Sequence, residues 1–379
     1  MTKLRRARLF LTAAVSAAFM ASAGAALADQ PTQLEQMSDR IDTGAQASKG
    51  LNFLVVPIPV VDPAIGNGVT LVTAVFYQPV KGGRQWVTGL GGMYTSNKDW
   101  AGGLAQQADL FDGKLRLMAF AGYGDFKLDF FGIGQDAGSQ GRSIRLDERG
   151  AVGLANLLYR VSGPFYFGAR YRFLQVDSKL DQPLFPNHPL IPDAELKTRI
   201  SGLGPAFEYD TRDIEFNPHR GVYIQGQWLF NGDNLGSDFS YNKATFQANY
   251  YHALGARTVV ALNGTLCNAT HGAPFYDLCF FGSQHELRGY EGGQYRDHSM
   301  FAVQGELRQA LFWKFGAVAF AGVGEVAPSF GDMGQATPLY SFGGGLRFQP
   351  SKKIPVNVSV DYAWGRKSSG LYLYVGEAF

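Results

Sequence analysis

Apolar and polar residues alternate along most of this chain with a period of two, and this pattern limits the folds available to it. In the clearest run, one face holds Val356, Val358, Val360, Tyr362 and Trp364, and the other holds Asn357, Ser359 and Asp361. Successive side chains of a β-strand point to opposite faces, so this period predicts strands rather than helices. Beyond the N-terminal region, no uninterrupted apolar segment approaches the roughly 18 residues of a membrane-spanning helix. The sequence therefore predicts an all-β protein.

The polar faces of these strands differ from the surface of a soluble β-sandwich. In the runs 165–173, 243–250 and 301–309 they hold Gly, Gln, Asn, Thr and paired charges. Charged residues make up 17% of the chain and aromatic residues 14%, with 48 glycines, whereas soluble domains carry roughly 25% charged residues. This combination is typical of a transmembrane antiparallel β-barrel with a lipid-facing exterior and a polar lumen. A net charge of +2 does not indicate a nucleic-acid partner.

The N-terminal residues predict export. Lys3 and the arginines that follow precede an apolar stretch, and Ala26-Leu27-Ala28 fits a signal-peptidase site. An uncleaved anchor helix is the alternative, although the apolar stretch is Ala-rich and short for a membrane span. We therefore expect a signal peptide (1–28), a short periplasmic tail (29–50) and a barrel domain (51–379) in the bacterial outer membrane.

The alternation predicts about sixteen strands, within the even-numbered range of bacterial barrels. The expected spans are 52–61, 68–79, 84–95, 98–111, 114–127, 145–161, 165–178, 196–211, 221–231, 238–253, 257–266, 298–311, 314–326, 339–349, 354–364 and 369–379. The connection between 266 and 298 is exceptionally long. Loops of this length usually have a function.

Residue spacing offers no enzyme or metal signature. None of the six histidines lies in an HxH or HExxH pattern, and no GxSxG motif occurs. We expect no enzymatic activity, no cofactor and no metal. Cys267 and Cys279 are twelve positions apart, and in an exported protein such a pair favours a disulfide over a metal site.

Three segments, taken in order, resemble one family. The first is Asp210-Thr211-Arg212-Asp213 with Pro218-His219-Arg220-Gly221, a turn in which Asp caps, Pro sets φ and Gly supplies positive φ. The second is Leu287-Arg288-Gly289-Tyr290 in the long connection, preceded by Pro274-Phe275-Tyr276 and Phe280-Phe281-Gly282. The third is the alternating segment 370–379 that ends in Phe379. Over residues 52–379 this arrangement resembles the BamA/TamA-type outer-membrane proteins, the bacterial surface antigen family.

The resemblance implies roles for several residues. In that family the long connection folds back into the lumen, where the counterpart of Arg288, with the adjoining Gly289 and Tyr290, locks it to the barrel wall. A terminal aromatic residue such as Phe379 is the signal that barrel proteins present to the assembly machinery. The resemblance therefore implies a loop lock at Arg288 and an assembly signal at Phe379.

The chain departs from the family in the acid expected to hold this arginine. Where the family has Asp on a following strand, this chain has Gly322. Glu306 matches the family's second acidic partner and is expected to pair with Arg288, while Glu325 falls on the wrong face unless a bulge intervenes. Arg308 lies on the same face as Glu306 and is expected to compete for it. With one anchor missing, we expect a more mobile loop than in the family.

Two functional hypotheses follow. By resemblance, the chain inserts or translocates polypeptide or lipid, with a movable loop and a seam weakened by Pro57 and Pro59, which lack backbone donors. The alternative is a passive pore or structural surface antigen. Residues 29–50 are too short for the family's polypeptide-transport domains, which favours the alternative. The expected partners are outer-membrane lipid and lipopolysaccharide, the assembly machinery during biogenesis and a polypeptide substrate.

Overall fold

The structure is a computed structural model that describes residues 52–62, 64–77, 79, 86–180, 197–214, 217–282, 285–350 and 357–379. The expected signal peptide and periplasmic tail lie outside the described residues. In the described part of the chain, no helix is both long enough and apolar enough to cross a membrane.

Sixteen strands of the described chain form one closed antiparallel barrel, which confirms the predicted fold. They are β1 (Asn52–Asp62), β2 (Gly66–Tyr77), β3 (Trp86–Thr95), β4 (Trp100–Leu110), β5 (Leu115–Phe130), β6 (Ile144–Ser162), β7 (Phe165–Leu180), β8 (Lys197–Asp210), β9 (Gly221–Asn231), β10 (Tyr241–Ala253), β11 (Thr258–Ala269), β14 (Ser299–Ala310), β15 (Phe315–Ala327), β16 (Leu339–Phe348), β17 (Val358–Gly365) and β18 (Ser368–Val375). Two short strands, β12 (Cys279–Phe281) and β13 (Tyr295–Asp297), pair with each other in a separate sheet. Around the barrel each strand pairs with the next, β11 pairs with β14, and β18 pairs with β1.

The two-residue alternation separates lipid-facing from lumen-facing side chains. In β17, Val360 and Tyr362 are each 40% exposed on the outer wall, whereas Ser359 and Asp361 are fully buried inside. A polar group in the barrel interior can find partners on neighbouring strands, whereas apolar side chains are favourable against lipid. On β1, β2 and β5 the inward side chains are instead largely apolar, and Ile58, Val72 and Phe126 belong to one buried cluster. The barrel interior therefore has a polar wall and an apolar wall.

The connection between β11 and β14 is residues 270–298, here called the plug loop. It contains the antiparallel pair β12 and β13. A short helix between β5 and β6, α1 (Gln135–Gln140), packs against it: the Gly134 N–H donates to the Arg296 carbonyl at 2.8 Å. The plug loop is thus a folded element rather than a plain connection.

The barrel closes through a short overlap. Val61 of β1 lies opposite Leu373 of β18, and β18 continues only to Val375, so most of β1 extends past its end. Pro57 and Pro59 do lie within β1, where they cannot donate to a ladder. The seam between β1 and β18 therefore has less strand pairing than the long ladders elsewhere in the barrel.

The last strand is shorter than the sequence predicts. The expected strand ran to Phe379, but Gly376 has a φ of +101°, which turns the chain away from the sheet. Continued alternation would have pointed Phe379 outward with Leu371 and Leu373. Instead its side chain is only 8% exposed and packs beside Tyr251 and Tyr374 in the lumen.

Candidate functional site: the plug loop and its two seats

Most of the described part of the plug loop is buried inside the barrel. Phe281, Leu287 and Tyr290 have no exposed surface, and they pack with inward residues of the wall such as Met300 and Leu339. The Phe281 and Tyr290 rings lie 5.7 Å apart at an edge-to-face angle. Because most of the loop's apolar side chains are buried against the barrel wall, the loop fills part of the lumen.

Arg288 occupies the first seat, at the loop tip. Its Nη2 lies 2.5 Å from Glu306 Oε1, its Nη1 lies 2.5 Å from Asp361 Oδ2, and its Nε donates to Gln304 at 3.1 Å. The guanidinium also stacks over the Phe320 ring at 3.4 Å. Arg288, Glu306 and Asp361 side chains have no exposed surface. The planar guanidinium thus binds the two carboxylates with its edge and the Phe320 ring with its face. A lysine ammonium could not make both kinds of contact.

Asp361 was not among the predicted site residues. It takes the place of the missing anchor: the family resemblance puts an Asp at position 322, whereas the structure supplies Asp361 from β17. The sequence did offer one indication of this role, because Asp361 lies on the polar face of the alternating run 356–364. The expected competition for Glu306 is also absent, because Glu306 binds Arg288 through Oε1 and Arg308 through Oε2 at 2.8 Å. The loop tip therefore has two acidic partners.

The loop backbone is held at the same seat. The Ser341 hydroxyl donates to the Arg288 carbonyl, and the Gly289 N–H donates to the Tyr372 hydroxyl at 2.9 Å. Gly289 has a φ of +100°, and a Cβ there would lie 2.8 Å from the Trp364 carbonyl carbon. A side chain at 289 would both strain the turn and collide with β17. This explains why glycine follows the arginine.

Gly322 has a steric role in this seat. A Cβ at position 322 would lie 2.7 Å from Leu287 Cδ1 and 2.8 Å from the Val303 carbonyl oxygen. The absence of a side chain at position 322 therefore leaves room for Leu287 to pack against the backbone of the wall. The acid is supplied by Asp361 instead, and the space that a side chain at 322 would fill accommodates Leu287.

Gly322→Asp should consequently weaken the loop seat, although it restores the residue typical of the family. The added carboxylate would displace Leu287 and lie beside a site already neutralised by Glu306 and Asp361, costing about 1–3 kcal/mol as overpacking. Faster chymotrypsin cleavage of the loop in Gly322→Asp than in the unmodified protein would show this. Slower cleavage would mean that the introduced aspartate strengthens the seat.

Asp277 forms a second seat at the start of the loop. Arg172 donates to both of its oxygens, at 2.8 Å and 2.5 Å, Lys243 Nζ lies 3.3 Å away, and the Tyr241 hydroxyl donates as well. Burial raises the pKa of the Asp277 carboxyl, but Arg172 and Lys243 outweigh it, so the pKa lies below its ordinary value. The second seat is therefore a carboxylate held between two cations.

This second seat was missed by sequence reasoning. Arg172 and Lys243 lie on the polar faces of the runs 165–173 and 243–250, and Phe275-Tyr276 belong to a segment that carries the family resemblance. Asp277 directly follows that motif, which was the available signal. What the sequence could not show is the pairing across 105 residues between Asp277 and Arg172.

The turn motif joins β8 to β9, and one cross-strand row leads from its Gly221 through Tyr251 and Ala261 to Glu306. Arg212 donates to Asp210 through Nε at 2.9 Å and Nη2 at 2.7 Å, and Asp213 accepts the backbone N–H groups of residues 219 and 220. Gly221 has a φ of +114°. These contacts, together with the Pro218 ring, organise the turn between β8 and β9.

Two other acids, Glu325 and Glu208, have local partners. Glu325 accepts the Gly334 N–H at 2.9 Å and does not contact Arg288. Glu208 pairs with Arg116 at 2.7 Å on the wall away from the seats. The Arg116–Glu208 pair therefore offers a matched control for charge removal within the lumen.

The expected disulfide is present between Cys267 of β11 and Cys279 of β12. It joins the first limb of the plug loop to the barrel wall and leaves the loop tip without a covalent tether. It closes a loop of about a dozen residues, which in the chain-entropy model restricts the open loop by roughly 3 kcal/mol.

Cys267→Ser/Cys279→Ser should leave the barrel folded and raise the exchange of amide hydrogens in 270–282 more than in 285–292, because only the first limb loses its tether. Hydrogen-exchange mass spectrometry measures both segments. Equal protection in the variant and the unmodified protein would contradict a restraining role, as would two free thiols in protein taken from native membranes.

Comparison with known proteins agrees with this architecture. The family pattern described as the Omp85 superfamily domain matches residues 83–379. No curated protein matched the chain. Among solved structures, BamA from Haemophilus ducreyi lacking POTRA domains 1–3 is 17% identical with a TM-score of 0.57, over 86% of this chain and 69% of that one.

Two further structures share the fold. CdiB from Escherichia coli is 12% identical with a TM-score of 0.60, over 87% of this chain and 63% of that one. CdiB from Acinetobacter baumannii is 13% identical with a TM-score of 0.57, over 87% and 60%. The chain thus spans less than two thirds of each CdiB chain. At these identities the likeness concerns the barrel fold alone.

Proposed function

This chain belongs to the Omp85 superfamily of outer-membrane barrels, and from that premise we propose that it inserts or translocates polypeptide at the outer membrane. In this proposal the plug loop is the gate of the lumen, and the seam between β1 and β18 is a lateral exit toward lipid. Arg288 and Asp277 hold the gate closed.

The proposal rests on one observation. The loop occupies part of the lumen, and its tip is held by noncovalent polar contacts that can break and re-form. The contacts of Arg288 with Glu306 and Asp361 are ion pairs, and those of Asp277 are charge-assisted hydrogen bonds. Such pairs hold firmly when dry and weaken when water or a substrate's polar groups enter. A loop held in this way can close a barrel at rest and still be displaced.

The seam supports a lateral route. The overlap of β1 with β18 is short, and two prolines reduce the donors available along β1. The prolines weaken the closing seam, and the unpaired backbone groups that β1 retains are a template for another strand. A client strand could pair there without breaking one of the long ladders.

The passive-pore alternative has one observation in its favour. A cavity lies beside the plug loop, lined by polar wall residues such as Arg170, Gln225 and Lys243, by Glu286, and by apolar residues such as Leu278 and Phe280. The amides and the charged groups of both signs would hold water beside the loop. A passive pore would need neither a movable loop tip nor an opening seam.

The two functions separate in one reconstitution. The full-length protein is placed in liposomes, and the folding rate of a urea-denatured small outer-membrane barrel is measured. Liposomes that hold the same mass of a porin give the control rate. The insertion proposal expects faster folding, and Val61→Cys/Leu373→Cys, oxidised across the seam, should abolish the acceleration. Reduction should restore it, and reduction of the unmodified protein controls for Cys267–Cys279.

Folding at the porin-control rate, together with steady ion conductance, would instead support the passive pore. If the protein still accelerates folding with the seam crosslinked, it acts as an insertion factor, but the client does not leave through the seam.

A further inference from the structure

The charged residues around Arg288 form a closed ring of alternating sign. Going round, the members are Arg288, Glu306, Arg308, Glu377, Arg347 and Asp361, and Asp361 returns to Arg288. The nearest nitrogen–oxygen distances are 2.5 Å for Arg288–Glu306, 2.8 Å for Glu306–Arg308, 3.8 Å for Arg308–Glu377, 2.8 Å for Glu377–Arg347 and 2.5 Å for Asp361–Arg288, and Arg347 directly contacts Asp361.

The members of the ring come from separate parts of the chain. Arg288 belongs to the plug loop, and Glu377 belongs to the segment Gly376–Phe379 that follows β18, here called the tail. The remaining members stand on β14, β16 and β17. The ring therefore links the loop tip to the tail through the wall.

The tail is held in the lumen by several further contacts. The Gly376 N–H donates to the Asn357 carbonyl at 2.7 Å, and Asn357 Nδ2 donates to Glu377 at 2.5 Å. Arg308 Nη2 donates to the main-chain oxygen of Phe379 at 2.8 Å, and the Phe379 ring is buried. The tail thus reaches Arg308, which shares Glu306 with Arg288.

The ring is electrically balanced and dry. It contains three arginines and three carboxylates, and their side chains are at most 7% exposed. Removing one carboxylate from such a network leaves an uncompensated buried cation, so the remaining members rearrange rather than tolerate it. Buried polar networks also strengthen one another, so their energies are not sums of separate pairs.

We propose that the tail is a latch for the plug loop: when β18 moves away from β1, the tail withdraws Glu377 from Arg308 and Arg347 and thereby loosens Arg288. Opening of the seam and release of the loop are then one coupled event. Glu377, Arg308 and Arg347 act as positioning residues for Arg288. Because coupling is reciprocal, release of the loop tip must loosen the tail by the same factor.

Glu377→Gln tests this coupling, since it removes one charge of the tail and preserves the shape. Hydrogen-exchange mass spectrometry of the full-length protein in nanodiscs should show faster exchange in residues 285–292 of the loop. A coupling of the usual size predicts roughly 5- to 100-fold faster exchange at the loop tip. Conversely, Arg288→Ala should speed exchange in 374–379 by a similar factor.

Glu208→Gln is the matched control, because it removes a buried luminal carboxylate from an arginine outside the ring. It should leave the loop tip unchanged. If Glu377→Gln does not yield a folded barrel, Asn357→Ala loosens the tail without changing charge and should act in the same direction. A tail that exchanges faster while the loop tip stays as protected as before, in whichever variant folds, would overturn the latch.

The latch does not depend on what the protein transports. A passive pore with a coupled tail and loop would give the same exchange result and no acceleration of client folding. An insertion factor without a latch would accelerate folding and show independent exchange in the two segments.

Discussion

Arg288→Ala should release the tip of the plug loop while the barrel itself stays folded. The sixteen-strand ladder does not involve the arginine side chain, but Glu306 and Asp361 would each lose a buried cationic partner. Breaking a buried pair typically costs 3–5 kcal/mol, and entry of water into the lumen reduces this. Even about 2 kcal/mol would raise the released fraction roughly 30-fold.

Chymotrypsin added to proteoliposomes measures the release, since Tyr290 and Tyr295 are at most 1% exposed in the closed loop. We expect cleavage at both tyrosines in Arg288→Ala and slow cleavage in the unmodified protein. Arg116→Ala, which removes a luminal arginine from Glu208, should resemble the unmodified protein. If all three resist alike, Arg288 does not hold the loop.

Asp277→Asn should release the other limb of the loop. The substitution keeps the shape but leaves Arg172 and Lys243 as neighbouring buried cations with no carboxylate between them. We expect a loss of comparable size to that at Arg288, about 3–5 kcal/mol in the dry limit. Hydrogen exchange in residues 273–281 should rise, with a smaller change at the tip.

The pH dependence of this seat follows from the Asp277 carboxyl. Its pKa is lower in the folded loop than its ordinary value. Its contribution is therefore complete above the ordinary pKa of aspartate, about 3.9, and is lost as pH falls through the lowered value. Protection of 273–281 should hold at pH 7 and at pH 5 and fall only in more acidic buffer. A loss between pH 7 and pH 5 would point to another group.

The fold was predictable because alternation in a barrel is local. Each strand shows its two faces in its own sequence, so the number of strands and most of their bounds could be read without knowing their partners. The last strand is the exception: the positive φ of Gly376 ends β18 and turns Phe379 into the lumen. Glycine permits that turn but does not require it, so the pattern alone could not reveal it. Whether Phe379 is also an assembly signal stays a prediction.

The seats were only half predictable, for a different reason. Arg288 and Glu306 were found because a motif resemblance points to them. Asp361 lies 73 residues from Arg288, and its pairing depends on how the closed barrel brings β17 opposite the loop tip. The alternation placed Asp361 on the inner face but gave no distance along the barrel axis. The same limit applies to Asp277.

We propose that the plug loop closes the lumen through its two seats. Single-channel recording in planar bilayers tests this most directly, with the unmodified protein compared with Arg288→Ala/Asp277→Asn. We expect the unmodified protein to be mainly closed, and the double variant to show more frequent and larger openings than either single variant. A double variant whose conductance and open fraction equal those of the unmodified protein would contradict the claim, because the two seats would then not control access to the lumen.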